Sequence, residues 1–246
     1  MIRFECDYAE GAHPKVLEAL VKTNFEQSPG YGADSHCAHA QELIREACED
    51  PLANVYFVTG GTPANVTVIA SLLRPYQGCV CCKSGHINVH EAGAVEATGH
   101  KVIGLEGKGG KLSAETLRNY LESYWADPTH EHMVQPGMVY ISSPTELGTV
   151  YSKSELQAHS EVCQEFVIPL YLDGARLGYG LQSPGNDVTL EDIDRLTDVF
   201  YIGGTKVGIL MGEAIVFPRG NGLDANFRSM IKQNCSMLAK GRLLGV

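Results

Sequence analysis

An α/β fold, built as a mainly parallel sheet covered by helices, is the architecture this chain predicts. Three observations carry the prediction. Short apolar runs alternate with helical patterns from about residue 54 onward, helix-start signals stand between those runs, and polar or glycine-rich turns follow several of them. In open α/β sheets such turns lie outside the carboxyl ends of the strands, where ligands collect.

In chain order, Val55 to Thr59 reads as a strand, and Pro63 to Leu73 as a helix with Thr62 at its cap and Pro63 at the first helical position. Cys79 to Cys82 is the next apolar run. Glu91 to Thr98 has a helical pattern, Lys101 to Leu105 reads as extended, and Ala114 to Trp125 is an amphipathic helix opened by Ser113. Met138 to Ser142 is a further strand. A capping box at Ser152 and Glu155 opens a helix that feeds the strand Ile168 to Leu172, and Thr189 with Asp192 opens another before Asp198 to Ile202. The chain shows no repeat, no low-complexity segment and no linker rich in proline, glycine and serine.

With 246 residues the chain is long enough to bury a substantial core. Its 29 acidic residues against 19 basic ones give a formal charge of −10, which argues against nucleic acid or an anionic membrane surface as the main partner and for a small molecule. The opening MIRFECDYAEGAHP has no apolar core behind a basic region, and no later apolar run is long enough to span a bilayer; the expectation is a cytoplasmic protein. Eight cysteines show no pair of CxxC units, so free thiols are expected.

Three strand ends carry polar residues the sheet itself does not need. Val58 to Asn65, VTGGTPAN, is a glycine turn leading into a helix N-terminus, where free backbone N–H groups and the helix dipole favour a phosphate; a plain tight turn has the same sequence, and the spacing is neither a Walker loop nor GxGxxG. Asp173 follows the run Ile168 to Leu172 directly, so its carboxylate needs either an ion pair with Arg176 or a bound cationic group. Lys206 follows the run Asp198 to Ile202 and two glycines, the position of a nucleophile or of a solvated loop lysine. His86 and His90 stand four apart with Glu91 beside them, a possible metal spacing, but no third soft ligand recurs nearby, and no metal is expected. A histidine at a strand end can instead stack on a planar cofactor. His36 and His39 fit a solvated helix face.

A phosphate cradle, a carboxylate, an arginine, a flat imidazole and a lysine suit one ligand, pyridoxal 5′-phosphate. The stretches DYAEGAHP (7–14), GYGAD (30–34), GGTPAN (60–65), GHINVHEAGA (85–94), SPTELGTVY (143–151), LDGARLGY (172–179), YIGGTKVG (201–208) and KQNCSMLAKGRLLG (232–245) together resemble the low-specificity L-threonine aldolases, of the aldolase and β-eliminating lyase group of fold type I pyridoxal-phosphate enzymes. The resemblance runs along nearly the whole chain. It implies the large domain of the aspartate aminotransferase type, and cleavage of threonine, allo-threonine and related β-hydroxy-α-amino acids to glycine and an aldehyde. The alternatives are a β-eliminating lyase of the same group and a cofactor-binding chain with little activity.

Residue by residue, the resemblance puts the cofactor phosphate on Gly61 and Thr62, with Lys232 a further contact that reaches a neighbouring subunit's site and Lys240 a weaker candidate. It makes Lys206 the Schiff-base lysine, His86 the stacking ring and first choice of base for the β-hydroxyl, Asp173 the partner of the ring nitrogen, and Arg176 the arginine near the phenolic oxygen. Tyr31, Asp7 and Glu91 lie in matching motifs around the pocket. A homo-oligomer, dimer or tetramer, is implied. Asp224 to Val246 reads as one amphipathic helix still in progress, whereas chains of the family continue into a small C-terminal domain carrying an arginine for the substrate carboxylate; residues 1–246 are therefore expected to be an N-terminal arm plus the large domain, weakly active by themselves.

Overall fold

The computed structural model describes residues 3–246. Seven strands, β1 (Asn54–Val58), β2 (Gln77–Cys82), β3 (Lys101–Leu105), β4 (Gln135–Ser142), β5 (Leu170–Asp173), β6 (Val199–Gly203) and β7 (Glu213–Phe217), form one sheet in the order β1-β7-β6-β5-β4-β2-β3. All neighbouring pairs are parallel except those of β7, which runs antiparallel to both β1 and β6. Two reversals cancel, so β1 points the same way as β2 to β6. The carboxyl ends of β1, β2, β4, β5 and β6 and the first residue of β7 consequently share one edge of the sheet.

The helices among the described residues are α1 (Pro14–Lys22), α2 (Ser35–Cys48), α3 (Gly61–Leu72), α4 (His86–Val89), α5 (Ala114–Ala126), α6 (Lys153–Phe166), α7 (Leu177–Leu181), α8 (Leu190–Leu196), α9 (Phe227–Gln233) and α10 (Arg242–Gly245). Strand side chains alternate between the two faces, and this period sorts the core into two clusters. Val80, Val139, Ile141, Leu172 and Phe200 face one side, against Leu117 and Leu121 of α5, Leu156 of α6 and Ile193 of α8. Cys79, Cys81, Met138, Tyr140, Tyr171 and Tyr201 face the other, against Ala64, Val68 and Ile69 of α3 and Phe227 of α9. Each such large side chain, taken fully out of water, contributes roughly 1.5–3 kcal/mol before entropy is charged.

Both expected capping boxes are present, at Ser152 with Glu155 and at Thr189 with Asp192, and Ser113 caps α5 through the Thr116 N–H. Three expectations are corrected. Helix α3 begins at Gly61, with extended Gly60 as its N-cap, so Thr62 lies inside the first turn and Pro63 at the third position. Proline is tolerated there because that N–H has no intrahelical acceptor anyway. The segment expected to be helical at 91–98 is broken, because Ala92 and Gly93 take positive φ values of 51° and 72°; only the short turn of 3₁₀ helix Glu96–Thr98 remains. The C-terminal segment is two short helices rather than one. Cys235 at φ 58° ends α9, with the Ser236 N–H donating to Ile231 O, and the chain then turns so that Arg242 donates to the Thr23 and Asn24 carbonyls. Strand β7 has no counterpart in the βα alternation read from the sequence.

Candidate active site

The shared strand edge opens into a cavity of about 360 Å³ lined by Tyr8, His86, Asp173, Arg176, Lys206 and Glu213, together with Gly60, Gly61 and Thr62. The glycine turn after β1, the segment after β2, the end of β5 and the turn after β6 supply these groups. Four of the expected site groups, Gly61–Thr62, His86, Asp173 with Arg176, and Lys206, are thus brought to one place.

Asp173 ends β5 and is 3% exposed. Its Oδ2 accepts from the Tyr140 hydroxyl at 2.6 Å and from Asn65 Nδ2 at 3.1 Å, and its Oδ1 from the Tyr201 hydroxyl at 2.5 Å and the Ala175 N–H at 3.0 Å. Four donors thus converge on one buried carboxyl group and fix its orientation. The first of the two sequence alternatives is overturned: Arg176 does not pair with Asp173 but donates to both carboxylate oxygens of Asp7. Burial pushes the Asp7 carboxyl up, yet the hydrogen bond and charge of Arg176, helped by Lys206, outweigh it and hold the group below its ordinary value. Close packing fixes the aspartate. A Cβ on Gly174, the next residue, would stand 2.0 Å from the Tyr201 carbonyl, so only glycine lets the exit of β5 approach β6 this closely.

His86 caps the other side of the cavity. Its Nδ1 is 2.7 Å from Glu91 Oε1, and its backbone N–H donates to Glu146 Oε1 at 2.8 Å. The Glu91 hydrogen bond raises His86 above the usual imidazole range against the opposing pull of burial. Asn65 then joins the two carboxylates: Nδ2 donates to Glu91 Oε1 at 2.7 Å as well as to Asp173, while Oδ1 accepts from the Tyr171 hydroxyl at 2.8 Å. With Glu91 on Nδ1, His86 Nε2 is the nitrogen left to accept a proton. The rings of His86 and His90 are 5.6 Å apart, and among the described residues no group of three or more His, Cys, Asp or Glu side chains is arranged to hold a metal ion.

Lys206 lies in the turn between β6 and β7, its Nζ 5.8 Å from the centroid of the Tyr8 ring. The N-terminal segment crosses here, since the His13 N–H donates to Gly208 O at 2.9 Å. On the glycine turn, no side chain caps the first N–H groups of α3, and the Thr59 N–H is held by Ser236 Oγ at 3.1 Å. Lys232 lies outside this cavity, on α9, with its Nζ 4.8 Å from the Tyr31 ring centroid; Lys240 is exposed beside a different cavity. Tyr31 is itself half exposed and holds Arg228 through its carbonyl.

Sequence reasoning did not single out Asn65, Tyr140, Tyr201, Glu146 or Glu213. The signal available for Asn65 and Glu213 was the same as for Asp173, a polar residue within or directly beside an apolar run.

The residues present fit pyridoxal 5′-phosphate. The cavity is of the size that takes a small planar ligand. It offers uncapped helix N–H groups for an anion, the buried Asp173 carboxyl for a protonated ring nitrogen, an imidazole, an amine, and Glu146 Oε2, an acceptor without a partner among the described residues.

A family model described as beta-eliminating lyase matches residues 6–241. A Pseudomonas protein named low specificity L-threonine aldolase is 31% identical over 98% of this chain and 69% of its own length. The structure of a threonine aldolase from Leishmania major superposes with a TM-score of 0.93 at 47% identity, over 97% of this chain and 68% of that one. A mutant aspartate aminotransferase of Thermus thermophilus shares the fold, with a TM-score of 0.72 at 15% identity over 96% of this chain and 64% of its own.

Proposed function

The chain belongs to the beta-eliminating lyase family, and from that premise we propose that the cavity beside Lys206 is the site at which it cleaves L-threonine and related β-hydroxy-α-amino acids to glycine and an aldehyde. It is a pyridoxal-phosphate-dependent carbon–carbon lyase. The observation that carries the assignment of the site is the convergence of Lys206, Asp173, His86 and the Gly61–Thr62 turn on one cavity.

When bound, pyridoxal 5′-phosphate supplies an aldehyde for an amine and a protonated ring that draws electrons from a bond at the α-carbon. Lys206 provides the resident amine. The uncapped N–H groups at Gly61 and Thr62 bind the phosphate, aided by the α3 dipole. Asp173, held in place by its four donors, would be the carboxylate partner of the ring nitrogen and keep its proton there. Arg176, oriented by Asp7, would be the arginine near the phenolic oxygen. His86 would cover the ring and its Nε2 would be the base for the β-hydroxyl, with Glu91 fixing the tautomer and raising the basicity of the imidazole. Residues 1–246 act as an N-terminal arm and a large cofactor-binding domain. The working unit is a cytoplasmic homo-oligomer in which the exposed Lys232, remote from its own chain's cavity, reaches the neighbouring subunit's phosphate.

Incubation with threonine tests the function. Glycine and acetaldehyde are the expected products; 2-oxobutyrate and ammonia would mean that the α-proton, not the Cα–Cβ bond, is lost, and the reading would move to β-elimination. Borohydride reduction of the loaded protein and peptide mapping should tag Lys206, and a tag on Lys83, Lys232 or Lys240 would sink the site.

A further inference from the structure

Glu213, the first residue of β7, is a buried carboxylate at the head of an otherwise apolar strand, and the chemistry of Lys206, Asp173 and His86 has no use for it. An acid in such a place costs desolvation unless it does something there. Because β7 is antiparallel, its first residue lies at the same sheet edge as the carboxyl ends of the parallel strands. Glu213 is paired in register with Gly203 of β6 on one side and with Val58 of β1 on the other. Its backbone therefore stands between the Lys206 turn and the glycine turn. Its Oε2 accepts from the Gly204 N–H at 2.6 Å, and the same turn is closed at its far end by the Gly212 N–H donating to Thr205 Oγ1 at 3.1 Å. Gly204 and Thr205 are the two residues directly before Lys206.

We propose that Glu213 is a positioning residue that clamps the Lys206 turn through the Gly204 N–H and, once ionised, adds a negative charge to the cavity that the Lys206 amine shares. Its surroundings decide when that charge is present. Burial pushes the Glu213 carboxyl up to about 7; the Gly204 N–H and the Thr205 side chain act against this, Asp173 of β5 adds to the rise and Lys206 lowers it, and the Glu213 charge in turn raises the Tyr171 and Tyr201 phenols of β5 and β6. Glu213 and Lys206 line the same cavity.

The proposal rests on Lys206 being the lysine that holds the cofactor, and the test separates the two. Wild type, Glu213→Gln and Glu213→Ala are prepared as the full chain. Each is titrated with pyridoxal 5′-phosphate, the visible absorption of the bound cofactor is followed against pH, and the modified lysine is mapped after borohydride reduction. The glutamine keeps an oxygen for the Gly204 N–H but carries no charge, so its affinity should stay near wild type while the absorption midpoint falls. The alanine loses the acceptor too, and its cofactor affinity should weaken by roughly 10- to 100-fold, the loss of one charge-assisted hydrogen bond. An unmoved midpoint in Glu213→Gln with the tag on Lys206 overturns this proposal alone. Wild-type affinity in Glu213→Ala overturns the clamp. A tag on another lysine in the wild type overturns both the Lys206 reading and the proposal. Circular dichroism checks each fold, and the isosteric glutamine carries the test if the alanine variant does not fold.

Discussion

Asp173 accepts from two tyrosine hydroxyls, an amide and a backbone N–H, and this sets what a change there does. An asparagine has one oxygen and an NH₂ that would face donors, so Asp173→Asn leaves buried hydroxyls without an acceptor at a cost of about 1–3 kcal/mol. Secondary structure should survive while kcat on threonine falls by about 100-fold or more, the scale expected for losing a preorganised charge. Near-normal kcat would remove Asp173 from the chemistry. His86 yields a pH prediction. Its raised pKa means that the basic form of the imidazole is populated only above that value, so kcat/KM should fall as pH drops through it. Glu91 is the largest cause of the raise, and Glu91→Gln should move this acid limb to lower pH. A limb that stays in place would show that the His86–Glu91 pair takes no part in the proton transfer.

Among the elements, the closeness of β5 and β6 decides the geometry. The Gly203 N–H donates to Gly174 O at 2.9 Å, tying the end of one strand to the exit of the other. A methyl at residue 174 has no room against the Tyr201 carbonyl, so Gly174→Ala must part the strands. The expected cost is about 1–3 kcal/mol, read from urea denaturation, with weaker cofactor binding because Asp173 and the Lys206 turn move apart. Unchanged stability and unchanged affinity would show that the edge is more pliable than its packing implies. The C-terminal elements reach the site as well: after the bend at Cys235, Ser236 holds the Thr59 N–H at the start of the glycine turn.

For the whole molecule, two core clusters back a sheet whose one edge collects all the chemistry, so that a ligand seated there joins β1, β5, β6 and the N-terminal segment. Binding the folded state alone stabilises it by mass action. At about 100 times Kd the gain is about 2.7 kcal/mol, and for a chain of this size that corresponds to about 5–10 °C in Tm. Pyridoxal 5′-phosphate should raise the melting temperature of the wild type by that amount and that of Asp173→Asn by less. An equal rise in both would mean that the cofactor binds without its ring nitrogen meeting Asp173. No helix among the described residues is long and apolar enough to cross a membrane.

The sequence alone determined the βα alternation, the capping boxes at Ser152 and Thr189, and the strand-end placement of Asp173 and Lys206, because periodicity and caps are local properties that a chain carries wherever it folds. The quoted motifs likewise marked Gly61, Thr62, His86 and Arg176 one at a time. Tertiary structure decided how they act together. The pairing of Arg176 with Asp7 rather than Asp173 depends on where the N-terminal segment lies. The Asn65 bridge between Glu91 and Asp173 joins residues 26 and 108 positions apart in the chain. The arrival of Glu213 at the cavity depends on one strand running against its neighbours, and the hydrogen bond from Thr59 to Ser236 joins residues 177 positions apart. Strand direction and long-range hydrogen bonds follow from how the whole chain packs, and local pattern does not encode them.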